Sequence, residues 1–128
     1  MTPRRILLVD DDADSREALS ALFQTWGCEV ATAETGEDAL AAVMVGAPDV
    51  VVADLTLPAM DGCELARRLR ALPAGGEIRL LAFSGHAEAE DIARARAAGF
   101  DDYVVKGADP DRLRDLVVNG GTDDPPAR

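Results

Sequence analysis

Aromatic residues make up only 4% of the 128-residue chain, so its core must be built from aliphatic side chains. Cysteine is scarce as well: Cys28 and Cys63 stand apart in ordinary aliphatic surroundings, with no Cys/His cluster beside either. That pattern disfavours a disulfide scaffold or a zinc site and reads as two buried free thiols in a reducing compartment. Histidine occurs once, at His86, and without a partner cluster it reads as a loop residue with no catalytic duty. No segment approaches the roughly 20 apolar residues needed to span a bilayer. The apolar run at 6–9 is short and meets three aspartates at once, so it is not a signal peptide. A soluble, cytoplasmic protein without membrane insertion is expected. Basic charge is the last shortage, with 24 acidic residues against 13 basic ones and a net charge of −11. That balance argues against direct binding of nucleic acid or an anionic membrane. All the basic residues are arginine except one, Lys106.

What remains is enough for one domain, since a chain of this length buries sufficient surface for an independent core. Three aliphatic runs stand out: Ile6-Leu7-Leu8-Val9, Val50-Val51-Val52-Ala53 and Leu80-Leu81-Ala82-Phe83. None alternates with polar residues, so each reads as a strand covered on both faces of a parallel sheet. Residues 28–32 do alternate, with Cys28, Val30 and Thr32 on one side, which suits an edge strand. Residues 102–105 are a fifth, weaker candidate. Helical spacing fills the intervals. Ala18, Leu19, Leu22, Phe23 and Trp26 form one stripe, with Asp14 or Ser15 as its cap. Ala39, Leu40, Val43 and Met44 form a second, between a capping box at Thr35-Gly36-Glu37-Asp38 and a stop at Gly46. Leu65, Leu69 and Leu72 form a third, closed by Pro73 and Gly75-Gly76. An alanine- and arginine-rich segment at 88–98 ends at Gly99, and Leu113, Leu116 and Val117 mark a short last helix. The order is (βα)5, and right-handed crossovers then require a doubly wound α/β sheet with helices on both faces. Residues 120–128 have little to bury and read as a disordered tail or the start of a linker, leaving 1–119 as the domain.

In such a sheet, function gathers beyond the carboxyl ends of the strands. The first strand ends in Asp10-Asp11-Asp12, the third in Asp54, the fourth in Ser84 and the fifth in Lys106. Two like charges about 4 Å apart repel by about 1 kcal/mol in water and about 4 kcal/mol at an effective dielectric of 20. Converging carboxylates therefore need a cation, and all-oxygen donors favour Mg²⁺ over zinc. A carboxylate beside Mg²⁺ can also act as a nucleophile and form an acyl phosphate. An ammonium and a hydroxyl around the phosphoryl group would stabilise its charge, and Lys106 and Ser84 fit those roles.

Over residues 4–118 the sequence resembles the response-regulator receivers of two-component signalling. Ile6-Leu7-Leu8-Val9-Asp10-Asp11-Asp12 is similar to their acidic first strand, and VVVADLTLPAMDG at 50–62 to their phosphoacceptor strand and loop. Leu81-Ala82-Phe83-Ser84-Gly85-His86 and Gly99-Phe100-Asp101-Asp102-Tyr103-Val104-Val105-Lys106 resemble the fourth and fifth strands, at intervals that also suit the family. The resemblance implies a flavodoxin-like sheet of order 2-1-3-4-5 and a Mg²⁺-dependent switch that catalyses only its own phosphorylation and dephosphorylation. Asp54 would accept phosphate from a histidine kinase or phosphotransfer protein and pass the signal to an unknown downstream protein. Asp11 would bind Mg²⁺ directly, Asp10 through water, Thr56 through its carbonyl, and Asp54 as part of the same site. Ser84 would move towards the phosphoryl group and Tyr103 would turn inward behind it, while Pro58 and Gly62 shape the intervening loop. Gly107 departs from the family, which usually places proline after the lysine, often through a cis peptide. A cis bond before a residue other than proline costs about 2.5–4 kcal/mol, so a trans Lys106–Gly107 bond is expected, with Lys106 still directed at Asp54.

Two other readings compete. Asp10-x-Asp12 with Ser84, Lys106 and Asp101-Asp102 is similar to haloacid-dehalogenase-type phosphohydrolases, which would make Asp10 the nucleophile and leave Asp54 without a role. A receiver-like adaptor that recognises partners without phosphorylation is the other; the complete acidic set argues against it and Gly107 for it.

Overall fold

The computed structural model describes residues 3–73, 75–85, 88–107 and 110–119. Five strands, β1 (Arg5–Val9), β2 (Glu29–Ala33), β3 (Val50–Asp54), β4 (Arg79–Ser84) and β5 (Asp102–Val105), alternate with five helices. These are α1 (Ala13–Thr25), α2 (Gly36–Val45), α3 (Gly62–Arg70), α4 (Ala89–Ala98) and α5 (Pro110–Asn119). The strands form one parallel sheet in the order β2-β1-β3-β4-β5. This is the doubly wound flavodoxin-like topology expected above.

The non-alternating runs are buried on both sides because each face carries its own helices. Leu7, Val9, Val51, Ala53, Leu80 and Ala82 face the inner sides of α2, α3 and α4. Ile6, Leu8, Val50, Val52, Leu81 and Phe83 pack with Phe23 of α1 and Leu113, Leu116 and Val117 of α5. With aromatics so few, only Phe23, Trp26, Phe83, Phe100 and Tyr103 supply rings, and the first two stack at 5.6 Å.

Several local signals are realised. Thr35 caps α2 by accepting from the Asp38 N–H, Gly46 closes it, and Gly99 ends α4 in the left-handed conformation at φ +120°. Others need correction. The cap of α1 is Asp12, whose carboxylate accepts from the Ser15 N–H at 3.1 Å, and not Asp14 or Ser15. The helix begins directly at the strand end, which places Asp14 in its first turn instead. In β2 the alternation fails at its end: Thr32 is exposed and Ala33 buried. Helix α3 ends at Arg70, so Leu72 reaches the core from the turn that follows. The expected tail at 120–128 lies outside the described residues. No helix among the described residues is long and apolar enough to cross a membrane.

The amino-edge return from α3 to β4 is fixed by one side chain. The Arg70 guanidinium donates to the carbonyls of Gly75, Ile78 and Gly99 and to the carboxylate of Asp101, at 2.6 to 3.0 Å. Asp101 in turn accepts from the Leu80 N–H at 2.9 Å. A forked, permanently charged donor can satisfy all of these at once. Arg70→Met keeps the aliphatic stem and strands the carbonyls, so it should lower the unfolding free energy by about 2–3 kcal/mol in urea titration. A loss below about 0.5 kcal/mol would contradict this account.

Candidate functional site

The acidic residues after β1 divide their work. Asp10 continues the inward alternation of Ile6 and Leu8 and is 2% exposed. Its N–H donates to Ala33, its Oδ1 accepts the Asp12 N–H at 2.9 Å, and its carbonyl accepts from Arg16 at 2.9 Å. Burial pushes the Asp10 carboxyl up from the ordinary range; Asp54 and Asp11 act the same way, against the Asp12 amide and Lys106. Asp11 stands exposed at the rim. Asp12 serves α1, and hydrogen bonds from Ser15 hold its carboxyl below the usual range.

Asp54 closes β3 in the centre of the sheet. Its Oδ1 accepts the Thr56 N–H at 2.9 Å, and its Oδ2 accepts from the Lys106 ammonium at 2.9 Å. That ammonium also stands 3.9 Å from Asp10 Oδ2 and 5.7 Å from the centroid of the Phe83 ring. Burial works against the Lys106 charge, but Asp54, Asp10 and Asp11 together outweigh it and raise its pKa above the ordinary lysine value. One carboxylate oxygen from each of Asp10, Asp11 and Asp54 lies within 4.8 Å of the others. Three hard oxygen donors at that spacing fit a cation such as Mg²⁺ and offer nothing to a thiophilic metal.

Strand alternation sorts the remaining residues. Asp10, Asp54 and Phe83 belong to the face covered by α1 and α5, whereas Ser84 and Tyr103 belong to the α2–α4 face. Ser84 is 1% exposed and lines a groove of about 320 Å³ with Leu55, Thr56, Cys63, Arg67 and Arg94. Tyr103 is buried, and its carbonyl accepts from Arg112 at 2.6 Å. Of the two expected buried thiols only Cys28 is buried; Cys63 is half-buried at the Ser84 groove, and the burial it has raises its thiol pKa.

The loop after Asp54 is held by close approach. A Cβ on Gly62 would sit 2.7 Å from the Asp54 carbonyl oxygen and 2.8 Å from Leu55 Cα, both backbone atoms. The Gly62 N–H donates to the Leu55 carbonyl at 3.0 Å, so α3 starts against the end of β3. Pro58 lies in this exposed loop, followed by Ala59 at φ +66°, a left-handed conformation costly for any residue with a Cβ. Beyond Lys106, no peptide bond among the described residues is cis, and Gly107 takes φ +77°. The chain therefore passes this point on a trans peptide and a glycine, and the Lys106 N–H is tied to the Ser84 carbonyl at 2.8 Å. His86 and Asp109 lie outside the described residues.

Sequence reasoning missed Phe83, which it read only as part of a buried run. Its pairing with Asp54 follows from strand register and could have been found by aligning the two carboxyl ends. It also missed Arg16, for which the sequence carries no signal.

The layout is that of a doubly wound α/β protein with three carboxylates and one ammonium gathered at the carboxyl ends of its strands. The sequence matches the response regulator receiver domain family over residues 6–118. A 14.6 kDa protein from the sodA1 3′ region of Leptolyngbya boryana is 38% identical over 112 residues, covering 88% of this chain and 86% of that one. The transcriptional regulatory protein PrrA of Mycobacterium tuberculosis is 35% identical over 118 residues, and the match covers 92% of this chain but only 48% of PrrA. The chemotaxis protein CheY4 of Vibrio cholerae has the same fold, with a TM-score of 0.82 at 28% identity over 88% of this chain and 93% of that one. The chain belongs to the response regulator receiver domain family, the phosphorylatable receivers of two-component systems, which take phosphate from histidine kinases.

The loop geometry gives a paired expectation. Ala59→Gly relieves the left-handed strain and should raise stability by up to about 1 kcal/mol. Gly62→Ala forces backbone apart and should lower it by about 1–3 kcal/mol. Urea unfolding of both variants checks the signs, and a destabilised Ala59→Gly would refute the strained loop.

Proposed function

We propose that Asp54 is the residue that takes the phosphoryl group, with a Mg²⁺ ion held by Asp10, Asp11, Asp54 and the Thr56 carbonyl. The observation that carries this reading is the 2.9 Å contact between Lys106 and Asp54 inside the three-carboxylate cluster. An Asp54 carboxylate oxygen attacks the phosphorus of a phosphohistidine on a kinase or phosphotransfer protein. The new P–O bond forms as the P–N bond breaks, and its electron pair leaves on the imidazole nitrogen, which takes up a proton. Lys106 then exchanges the carboxylate for phosphoryl oxygens, which carry the developing charge. Mg²⁺, when bound, neutralises the same oxygens and the surrounding carboxylates.

Ser84 is assigned to donate its hydroxyl to the phosphoryl group, drawing the end of β4 inward, and Tyr103 to follow into the space behind it. Both lie on the α2–α4 face, so the change would be delivered there, to a downstream protein whose identity is open. Water attack on the acyl phosphate returns Asp54 and inorganic phosphate, so the chain catalyses only its own phosphorylation and dephosphorylation. The hydrolase alternative loses its second acid, since Asp12 is engaged in capping α1. The acidic balance of the whole chain, −11, supports reading residues 1–119 as a cytoplasmic receiver without direct nucleic-acid contact.

Incubation with acetyl phosphate and Mg²⁺ should add one phosphoryl group to the wild-type protein by intact mass and none to Asp54→Asn. Equal labelling of both would sink the assignment. Mg²⁺ should also stabilise the fold by relieving repulsion among the carboxylates. At one hundred times its dissociation constant the gain is about 2.7 kcal/mol, several degrees in a thermal melt. An unchanged melting temperature in millimolar Mg²⁺, with Asp11→Asn no more stable than wild type in metal-free buffer, would refute the cation site.

A further inference from the structure

Lys106 is tied by its backbone to β4, through the Ser84 carbonyl, but its side chain has a long reach. A Cβ at Gly107 would meet no atom within 4 Å among the described residues, so a side chain after the lysine would add no packing there. The lysine belongs to the end of β5, yet its ammonium bonds a carboxylate on β3. Those strands are two places apart, about 10 Å at the usual parallel spacing, and β4 lies between them. The β4 residue in register with Asp54 on one side and Val104 on the other is Phe83. Its ring is 8% exposed and fixed in the α1/α5 core cluster with Leu81, Val104 and Leu113. The Lys106 ammonium stands 5.7 Å from the ring centroid, inside the roughly 6 Å over which an aromatic face attracts a cation.

We propose that Phe83 is a positioning residue for Lys106, its ring carrying the ammonium across β4 and aiming it at Asp54. This rests on reading Asp54 as the phosphoacceptor. When an Asp54 oxygen is phosphorylated to the acyl phosphate, the carboxylate that held the lysine loses its charge, and the ammonium must move to the phosphoryl oxygens. The ring is uncharged and locked in the core, so it holds the cation near the same line before and after that exchange. An aliphatic residue would fill the core as well and attract no cation.

The test replaces the ring's electrostatics while keeping its shape. Pentafluorophenylalanine at position 83 reverses the sign of the ring face, Phe83→Leu removes it, and Phe83→Tyr keeps it. The groove of about 220 Å³ that Phe83 lines beside Leu19, Leu22 and Leu113 leaves room for the tyrosine hydroxyl. Because Lys106 is the only lysine, lysine-selective ¹⁵N labelling gives one side-chain signal to follow. Expected is a roughly two- to fivefold slower labelling of Asp54 by acetyl phosphate for the fluorinated and leucine proteins. The Lys106 signal should shift in both, and Phe83→Tyr should react at the wild-type rate. A fluorinated protein that labels at the wild-type rate overturns the proposal whatever the signal does. If wild type takes up no phosphoryl group at Asp54, it is the acceptor assignment that fails. The Lys106 signal then decides alone, and no shift on fluorination overturns the placement.

Discussion

Three carboxylates held at one edge of the sheet repel one another, and Asp10 does so from a nearly dry position. Left alone, that repulsion would push apart the carboxyl ends of β3, the central strand, and β1, one of its two neighbours. The Lys106 ammonium is what the described residues set against it, bonded to Asp54 and close to Asp10. One positive charge does not balance three negative ones, so the edge remains an attractive place for a divalent cation. The same imbalance makes the site responsive: adding a phosphoryl group changes the charge that the lysine must serve.

Arginine and lysine are used for different ends. Arg70 and Arg79 staple the amino edge of the sheet to Asp101 and Asp102, while Arg67, Arg68 and Arg94 pair along exposed helix surfaces. Arg16 and Arg112 hold carbonyls at Asp10 and Tyr103. A planar fork suits each of these, because each needs fixed geometry or several acceptors at once. The reacting edge instead carries a single flexible ammonium, a point charge that can be handed from a carboxylate to a phosphoryl oxygen. The composition, so rich in arginine, thus sets apart the one ammonium, to which the proposed mechanism gives the task of moving between acceptors.

Much of this was legible in the sequence. Unbroken aliphatic runs can be buried only between two helical layers, and strand ends in an open α/β sheet collect the chemistry, so Asp10, Asp54, Ser84 and Lys106 could be selected before any coordinates. What was hidden depended on direction in space. Asp10, Asp11 and Asp12 are chemically identical and adjacent, and only the turn from β1 into α1 decides that one is buried, one lines the rim and one caps a helix. Arg70 looked like its arginine neighbours because its partners are backbone carbonyls, which leave no mark in sequence. Phe83 was hidden in plain view inside a hydrophobic run, since its second role depends on which residues stand level with it on β3 and β5.

The two faces of the sheet carry different residues of the site. Asp10, Asp54 and Phe83 lie on the α1/α5 side in a row that strand pairing fixes, and Gly62 and the left-handed Ala59 bind the acceptor loop tightly against β3. Ser84 and Tyr103 lie on the other side, where Ser84 lines the groove between α3 and α4. The two faces differ in lining more than in free space: the groove beside Ser84 is about 320 Å³ and carries Asp61, Arg67, Asp91 and Arg94, and the one beside Phe83 is about 220 Å³ and apolar. Packed interiors respond to local displacement by switching between discrete arrangements, not by deforming evenly. Under the roles proposed for Ser84 and Tyr103, the change would start at the carboxyl end of β4 and pass to β5, whose Tyr103 pairs with Ala82, two residues before Ser84.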